Sequence, residues 1–225
     1  QAELNYTLAG ARGTGSSVVS GQSGVENDTN LPTIISPLDF NETHRGSLYL
    51  DYRFAENESN SILRSLGANL LMRFNSGHAY TLVNGSIGQR GPEEGGILAS
   101  DDPRSRKPSE SINRSTTPWI FQTDLRVDKG FSLFGVRAQV YSYVQNLFNR
   151  KNAINVYGRT GNAEDDGFLT NSDLSQQIVE ANGGLLYSQL YEEINLANRQ
   201  HYAITEGGDI YDEPRQIRFG LQFEF

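Results

Sequence analysis

Through most of the chain that is not loop, apolar and polar residues alternate with a period of two, which sorts them onto opposite faces of extended strands. The clearest stretch is Arg215–Phe225, where Ile217, Phe219, Leu221, Phe223 and Phe225 oppose Gln216, Arg218, Gly220, Gln222 and Glu224. Pro214 stands just before it, at a position where a missing ladder donor is tolerated. The same alternation predicts strands over Ser47–Phe54, Leu66–Asn75, Phe121–Asp128 and Val136–Gln145, and a weaker one over about Ala2–Ala11. Helical periodicity is nearly absent. Asn171–Ala181 is the best candidate, and its thin apolar stripe predicts one or two turns inside a loop.

The connections between these six strands alternate in length. Long ones span residues 13–43, 77–118 and 149–212, and short turns fall near Ala55–Leu63 and Lys129–Gly135. Compact soluble domains rarely carry loops beyond about 12–15 residues. Long loops at one end and tight turns at the other is the plan of an outer-membrane barrel, with the turns near Asn57 and Gly130 in the periplasm. Arg53, Asp51, Arg73, Asp124, Arg126, Arg137, Arg218 and Glu224 share the polar faces, where they are placed to pair across strands. Aromatic residues mark strand ends: Trp119, Phe131, Phe134, Phe148 and Phe225 suit interfacial girdles, or else plug the ends of a sandwich core. Periodicity alone leaves a transmembrane barrel and a soluble β-sandwich both open.

Composition narrows the choice. With Lys+Arg 19 against Asp+Glu 27 the net charge is -8, and no basic run offers a footprint for nucleic acid. Zero cysteines exclude disulfides, thiol nucleophiles and thiolate metal sites. No run of 18 apolar residues occurs, so no membrane helix is expected, and QAELNYTLAG does not read as a signal peptide.

Several stretches resemble the C-terminal part of the barrel of TonB-dependent outer-membrane receptors, in the branch with a carboxypeptidase-regulatory-like N-terminal domain. They are HRGSLYLDYRF (His44–Phe54), LGANLLMRFNSGHAYT (Leu66–Thr81), DLRVDKGF, VYSYVQNLFNRKNAINVYGRTG and PRQIRFGLQFEF (Pro214–Phe225). SGHAYT corresponds to the family's SG-x-PYT, with Ala79 where proline is common, and QNLFNRKN (Gln145–Asn152) to its NLFN. Order and spacing also agree, over all but the two longest loops. The resemblance implies a 22-stranded barrel filled by a plug, in the bacterial outer membrane. Such a receptor takes up a scarce solute, and the periplasmic energy-coupling protein TonB pulls on the plug. Its partners would be outer-membrane lipid, the rest of its own barrel and plug, and a surface lipoprotein or other envelope complex.

This chain departs from that pattern in having about six strands and no plug. Residues 1–225 are therefore expected to be the C-terminal part of the barrel domain, with upstream strands and plug elsewhere in a longer chain; the alternative is that a second polypeptide supplies them. Phe225 resembles the family's terminal aromatic signal for barrel assembly. The final strand should pair with Val136–Val144 on one edge and with a strand outside residues 1–225 on the other. Two other functions stay in view: a barrel acting as scaffold or interaction subunit of an envelope complex, and a soluble carbohydrate-binding β-sandwich.

Candidate chemistry is sparse. Carboxylates cluster at Glu93-Glu94, Asp101-Asp102, Glu164-Asp165-Asp166, Glu192-Glu193 and Asp209 with Asp212. Only the loop Gly161–Gly167 is compact enough for calcium, and it lacks EF-hand spacing. His44, His78 and His201 sit on separate elements, and no G-x-S-x-G elbow is present, so neither a zinc site nor an enzyme is expected. Tyr187, Tyr191, Tyr202 and Tyr211 crowd the last loop, either to stack on sugars or peptides or to pack that loop into a lid.

Overall fold

A computed structural model describes residues 1–16, 34–86, 98, 106–133 and 135–224. The chain is mostly β, built on one six-stranded antiparallel sheet: β1 (Ala2–Leu8), β2 (His44–Arg53), β3 (Leu66–Asn75), β4 (Ile120–Leu133), β5 (Val136–Gln145) and β6 (Gln216–Glu224). Spatial order equals chain order, so every strand pairs with its neighbours in sequence. Among the described residues β1 and β6 pair only on their inner edges, leaving the sheet open on both sides. Five strands coincide closely with the alternating stretches. The fourth is longer than its pattern. Leu133 pairs with Val136 and the turn lies at Gly135, whose φ of 82° glycine adopts without strain, so Lys129 and Gly130 belong to the ladder instead of a turn. The Lys-Gly-Phe-Ser run reads as turn chemistry, but cross-strand pairing with β5 carries it as strand.

Register keeps most rows of side chains to one character; an exception on the apolar face is the row Leu66, Lys129, Val140 and Leu221, where the Lys129 amine donates to the Ser61 and Ile62 carbonyls beside the short turn. Ala2, Leu50, Leu70, Leu125, Val144 and Ile217 form one continuous apolar row over all six strands. Three residues further along, on the other face, lies the row Arg53, Gly67, Asp128, Tyr141 and Gly220. A slip of one residue in any strand would put charges into the apolar face, so the alternation itself fixes the register.

The core lies away from the sheet. Residues 149–212 fold over its outer end as a helical cap: α1 (Ser172–Ala181), α2 (Leu185–Tyr191), a π-helical segment (Glu192–Ala197) and α3 (Gln200–Glu206). Asn171 caps α1 by accepting from the Asp173 N–H at 3.0 Å, so the NSDLSQQIVEA stretch is a full helix. The two following helices and the π segment carry no comparable sequence signal. Ile210 is fully buried there in a cluster with Ala153, Tyr157 and Tyr202, and Val156 and Phe168 are fully buried too, Phe168 against Tyr191. Phe134, Phe225, Glu93, Glu94, Asp101 and Asp102 lie outside the described residues.

Candidate functional site

The sheet is inside out by the standards of a water-soluble core. Its apolar face is largely exposed among the described residues, with Leu4, Leu8, Leu50, Val140, Phe219 and Leu221 all exposed; Phe219 retains 79% of its accessible surface and Leu221 55%. Its polar face buries charge: Asp124 is 2% exposed and Asp128 4%. Each buried carboxylate is surrounded by donors.

Asp128 receives both forks of Arg53, at 2.7 and 3.0 Å, and the Gln139 amide at 2.5 Å. Arg126 lies 4.0 Å from the same carboxylate and stacks on the Tyr141 ring at 4.5 Å. Asp124 receives Arg73 at 2.8 Å, Gln122 at 3.2 Å and the backbone N–H of Asn146 at 3.0 Å. The expectation of cross-strand charge pairing holds for Arg53 and Arg73, whereas Arg126 meets a carboxylate of its own strand and crosses to β5 only through the Tyr141 ring; guanidinium geometry suits such a crowded network. This face also carries two clefts. One, of about 370 Å³, is lined by Asn5, Arg45, Ser47, Arg73, Asn75 and Gln122, and a second, of about 530 Å³ near the short turns, by Arg53, Arg64, Ser65, Gly130, Arg137 and Gln139.

At the outer end, aromatic rings form a continuous stack. Tyr6 meets His44 with centroids 6.3 Å apart, His44 meets Trp119 at 5.5 Å, and Trp119 meets Phe74 at 6.2 Å and Phe121 at 6.0 Å. The Tyr6 hydroxyl lies 2.8 Å from His44 Nδ1. His44 is thus a member of this belt. His78 sits at the rim, within 3.3 Å of the Ile154 carbonyl, and His201 is exposed on α3.

The two sequence motifs are the joints of that rim. In QNLFNRKN, Asn146 adopts a left-handed conformation and is buried; its side chain accepts from the Arg150 N–H and donates to the Arg150 and Glu213 carbonyls. Asn152 pairs with both backbone groups of Phe121, at 3.1 and 2.8 Å, so it continues the ladder past the strand end. In SGHAYT, Ser76 closes on His44, Tyr80 is buried, and Thr81 exchanges hydrogen bonds with buried Asn113. Alternation cannot reveal these asparagines, because they sit past the strand ends and bind either a local turn, as Asn146 does with Arg150, or distant segments such as Glu213, Phe121 and Thr81.

In the cap, Tyr191 and Tyr202 are buried and pack the loop, and Tyr187 stacks beside Tyr191 at 6.2 Å. Of the acidic loop Gly161–Gly167, one carboxylate turns inward, while Glu164 stays exposed. Asp166 is buried, accepting from the Tyr191 hydroxyl and the Phe168 N–H, while Asp165 accepts from Gly167 and Thr170. Burial raises the Asp166 carboxyl above the ordinary carboxylate range. Burial beside the Asp166 charge also raises the Tyr191 phenol and lifts the Tyr157 phenol to about 12. Asp209, by contrast, is held low by the Arg199 fork at 2.6 and 2.8 Å. Among the described residues no three of His, Asp and Glu converge as metal ligands.

No protein-family model, curated protein or solved structure matches the chain.

Proposed function

We propose that residues 1–225 are one side of the wall of an outer-membrane transport barrel of the TonB-dependent receptor type, lying in the bacterial outer membrane with further strands and a plug completing it. The observation that carries this reading is the inverted sheet: exposed leucines and phenylalanines on one face, buried and fully paired carboxylates on the other. In water, exposing such a face works against the hydrophobic effect and invites association. In a bilayer the same face needs no cover, and the polar face lines the interior.

Dimensions support it. Phe121 in the aromatic stack and Phe131 near the short turns lie on the apolar face of β4, ten residues apart. Ten residues span about 34 Å of strand at about 3.4 Å each. At a tilt of about 45° that projects to about 24 Å, close to the apolar band of about 25 Å between the girdles of such barrels. Open edges in hydrocarbon leave backbone groups unpaired at several kcal/mol each, so the free edges of β1 and β6 call for partner strands. The helical cap would then stand outside the cell, and ligand selection would fall to the cap and the polar clefts.

Single cysteines at Ser59 and Glu193 test this, since both are exposed and the chain has no native thiol. On intact cells an impermeant maleimide should label Glu193→Cys and leave Ser59→Cys untouched. Labelling of Ser59→Cys alone would invert the topology. Recovery of the protein in the aqueous phase without detergent would remove the barrel reading.

A further inference from the structure

Among the described residues, a stripe of apolar side chains on the helical cap stays largely exposed. Leu186 and Leu190 lie one turn apart in α2, and Ile194 follows one turn later in the π-helical segment. Residues four apart share a helix face. These three retain 63%, 51% and 41% of their accessible surface, yet the adjoining Tyr191 is buried against Phe168 with ring centroids 4.8 Å apart. The inner face of this helix is therefore already packed, and the outer stripe keeps much of its surface exposed.

Charge decides what kind of partner suits it. Residues 171–213 carry eight carboxylates and one arginine, Arg199, whose guanidinium is already engaged by Asp209. Glu192 and Glu193, both exposed, adjoin the stripe. A second copy would set one acidic surface against another, and an anionic lipid surface is repelled in the same way. An occupant with apolar side chains on one face and lysine or arginine beside them satisfies both features at once.

We propose that Leu186, Leu190 and Ile194, with Glu192 and Glu193 beside them, form a docking surface for a cationic amphipathic helix of a partner polypeptide. The full chain in lipid nanodiscs, titrated against a fluorescent 18-residue leucine–lysine helix, tests it by anisotropy. Replacing Leu186, Leu190 and Ile194 together by serine should weaken binding at least tenfold. Glu192→Gln with Glu193→Gln should weaken it about threefold or more and flatten its salt dependence. Leu190→Lys alone, at an exposed position that leaves the fold intact, should also abolish binding. A scrambled peptide of equal charge should bind at least tenfold more weakly than the amphipathic one. Equal binding of the scrambled peptide, or unchanged binding by the serine variant, would overturn the proposal. So would a dimer, seen in sedimentation, that the serine variant loses, or stripe-dependent attachment to phosphatidylcholine vesicles, either of which would give the surface a different occupant.

Discussion

Arg53 binds Asp128 across an intervening strand, and it can do so because Gly67 lies between them. The three residues share one ladder row, and a Cβ built on Gly67 would sit 2.8 Å from the Arg53 guanidinium. The same row continues to Tyr141, whose ring lies over Gly220 in β6. Glycine weakens a strand, but here its bare backbone is the floor over which a long side chain reaches the second strand. A single row thereby links β2, β3, β4, β5 and β6 on the polar face.

Removing either end of this bridge should destabilise the sheet. Arg53→Met leaves Asp128 buried with fewer donors, but the arginine is half exposed, so the cost should be about 1–2 kcal/mol, below that of a fully buried pair. Gly67→Ala should cost a similar amount by displacing the guanidinium. In urea unfolding from lipid vesicles, the double variant should lose clearly less than the sum of the singles. Additive losses would mean that Gly67 and Arg53 act independently.

Adjacent residues of β6 should respond oppositely to charge. Leu221 pairs with Val140 on the exposed apolar face, and Gln222 pairs with Gln139 on the polar one. Leu221→Arg should cost clearly more than Gln222→Arg, within the range of up to about 2–4 kcal/mol that such a charge costs on the lipid face. The comparison is made by urea unfolding in vesicles, and equal losses would remove the assignment of faces.

Asn146 should be intolerant of substitution. Asn146→Ala loses the contacts to Arg150 and Glu213 and places alanine at a φ of 50°, for an expected loss of about 2–3 kcal/mol. Asn146→Gly relieves only the backbone strain and should recover less than half of that in the same unfolding assay.

Stability of the cap should fall as pH rises. Asp166 is held above its unfolded value by burial, so its contribution is full below the ordinary carboxylate range and is lost as pH climbs through the raised folded value. Tyr157 and Tyr191 remain neutral phenols over that window. Hydrogen-exchange protection factors for residues 166–191, corrected for intrinsic rates, should drop across it, and Asp166→Asn should flatten the profile. An unchanged profile in that variant would assign the dependence to another group.

The end of β6 should matter more to assembly than an equal length of cap. Deleting residues 223–225 should sharply reduce heat-modifiable protein in outer-membrane fractions. Removing exposed residues 206–208 should not. Similar yields from the two deletions would argue against β6 as a seam strand.

What the sequence by itself determined is the sheet. A period of two and the alternation of long and short connections are local properties, and they suffice to place six strands, their phase and their antiparallel order, because any slip would mix charges into an apolar face. The second short turn reads too wide in the sequence, as Lys129–Gly135, since Lys129 and Gly130 look like turn residues until β5 pairs with them. Tertiary structure alone decided the rest. The reach of Arg53 over Gly67, the capping of Phe121 by Asn152 and the burial of Asp166 under Tyr191 join residues from separate segments of the chain. The helices after Asn182 owe their order to packing around Phe168 and Ile210 more than to any periodicity of their own. Local pattern reports which medium a side chain faces; which partner it meets there depends on how distant segments are brought together.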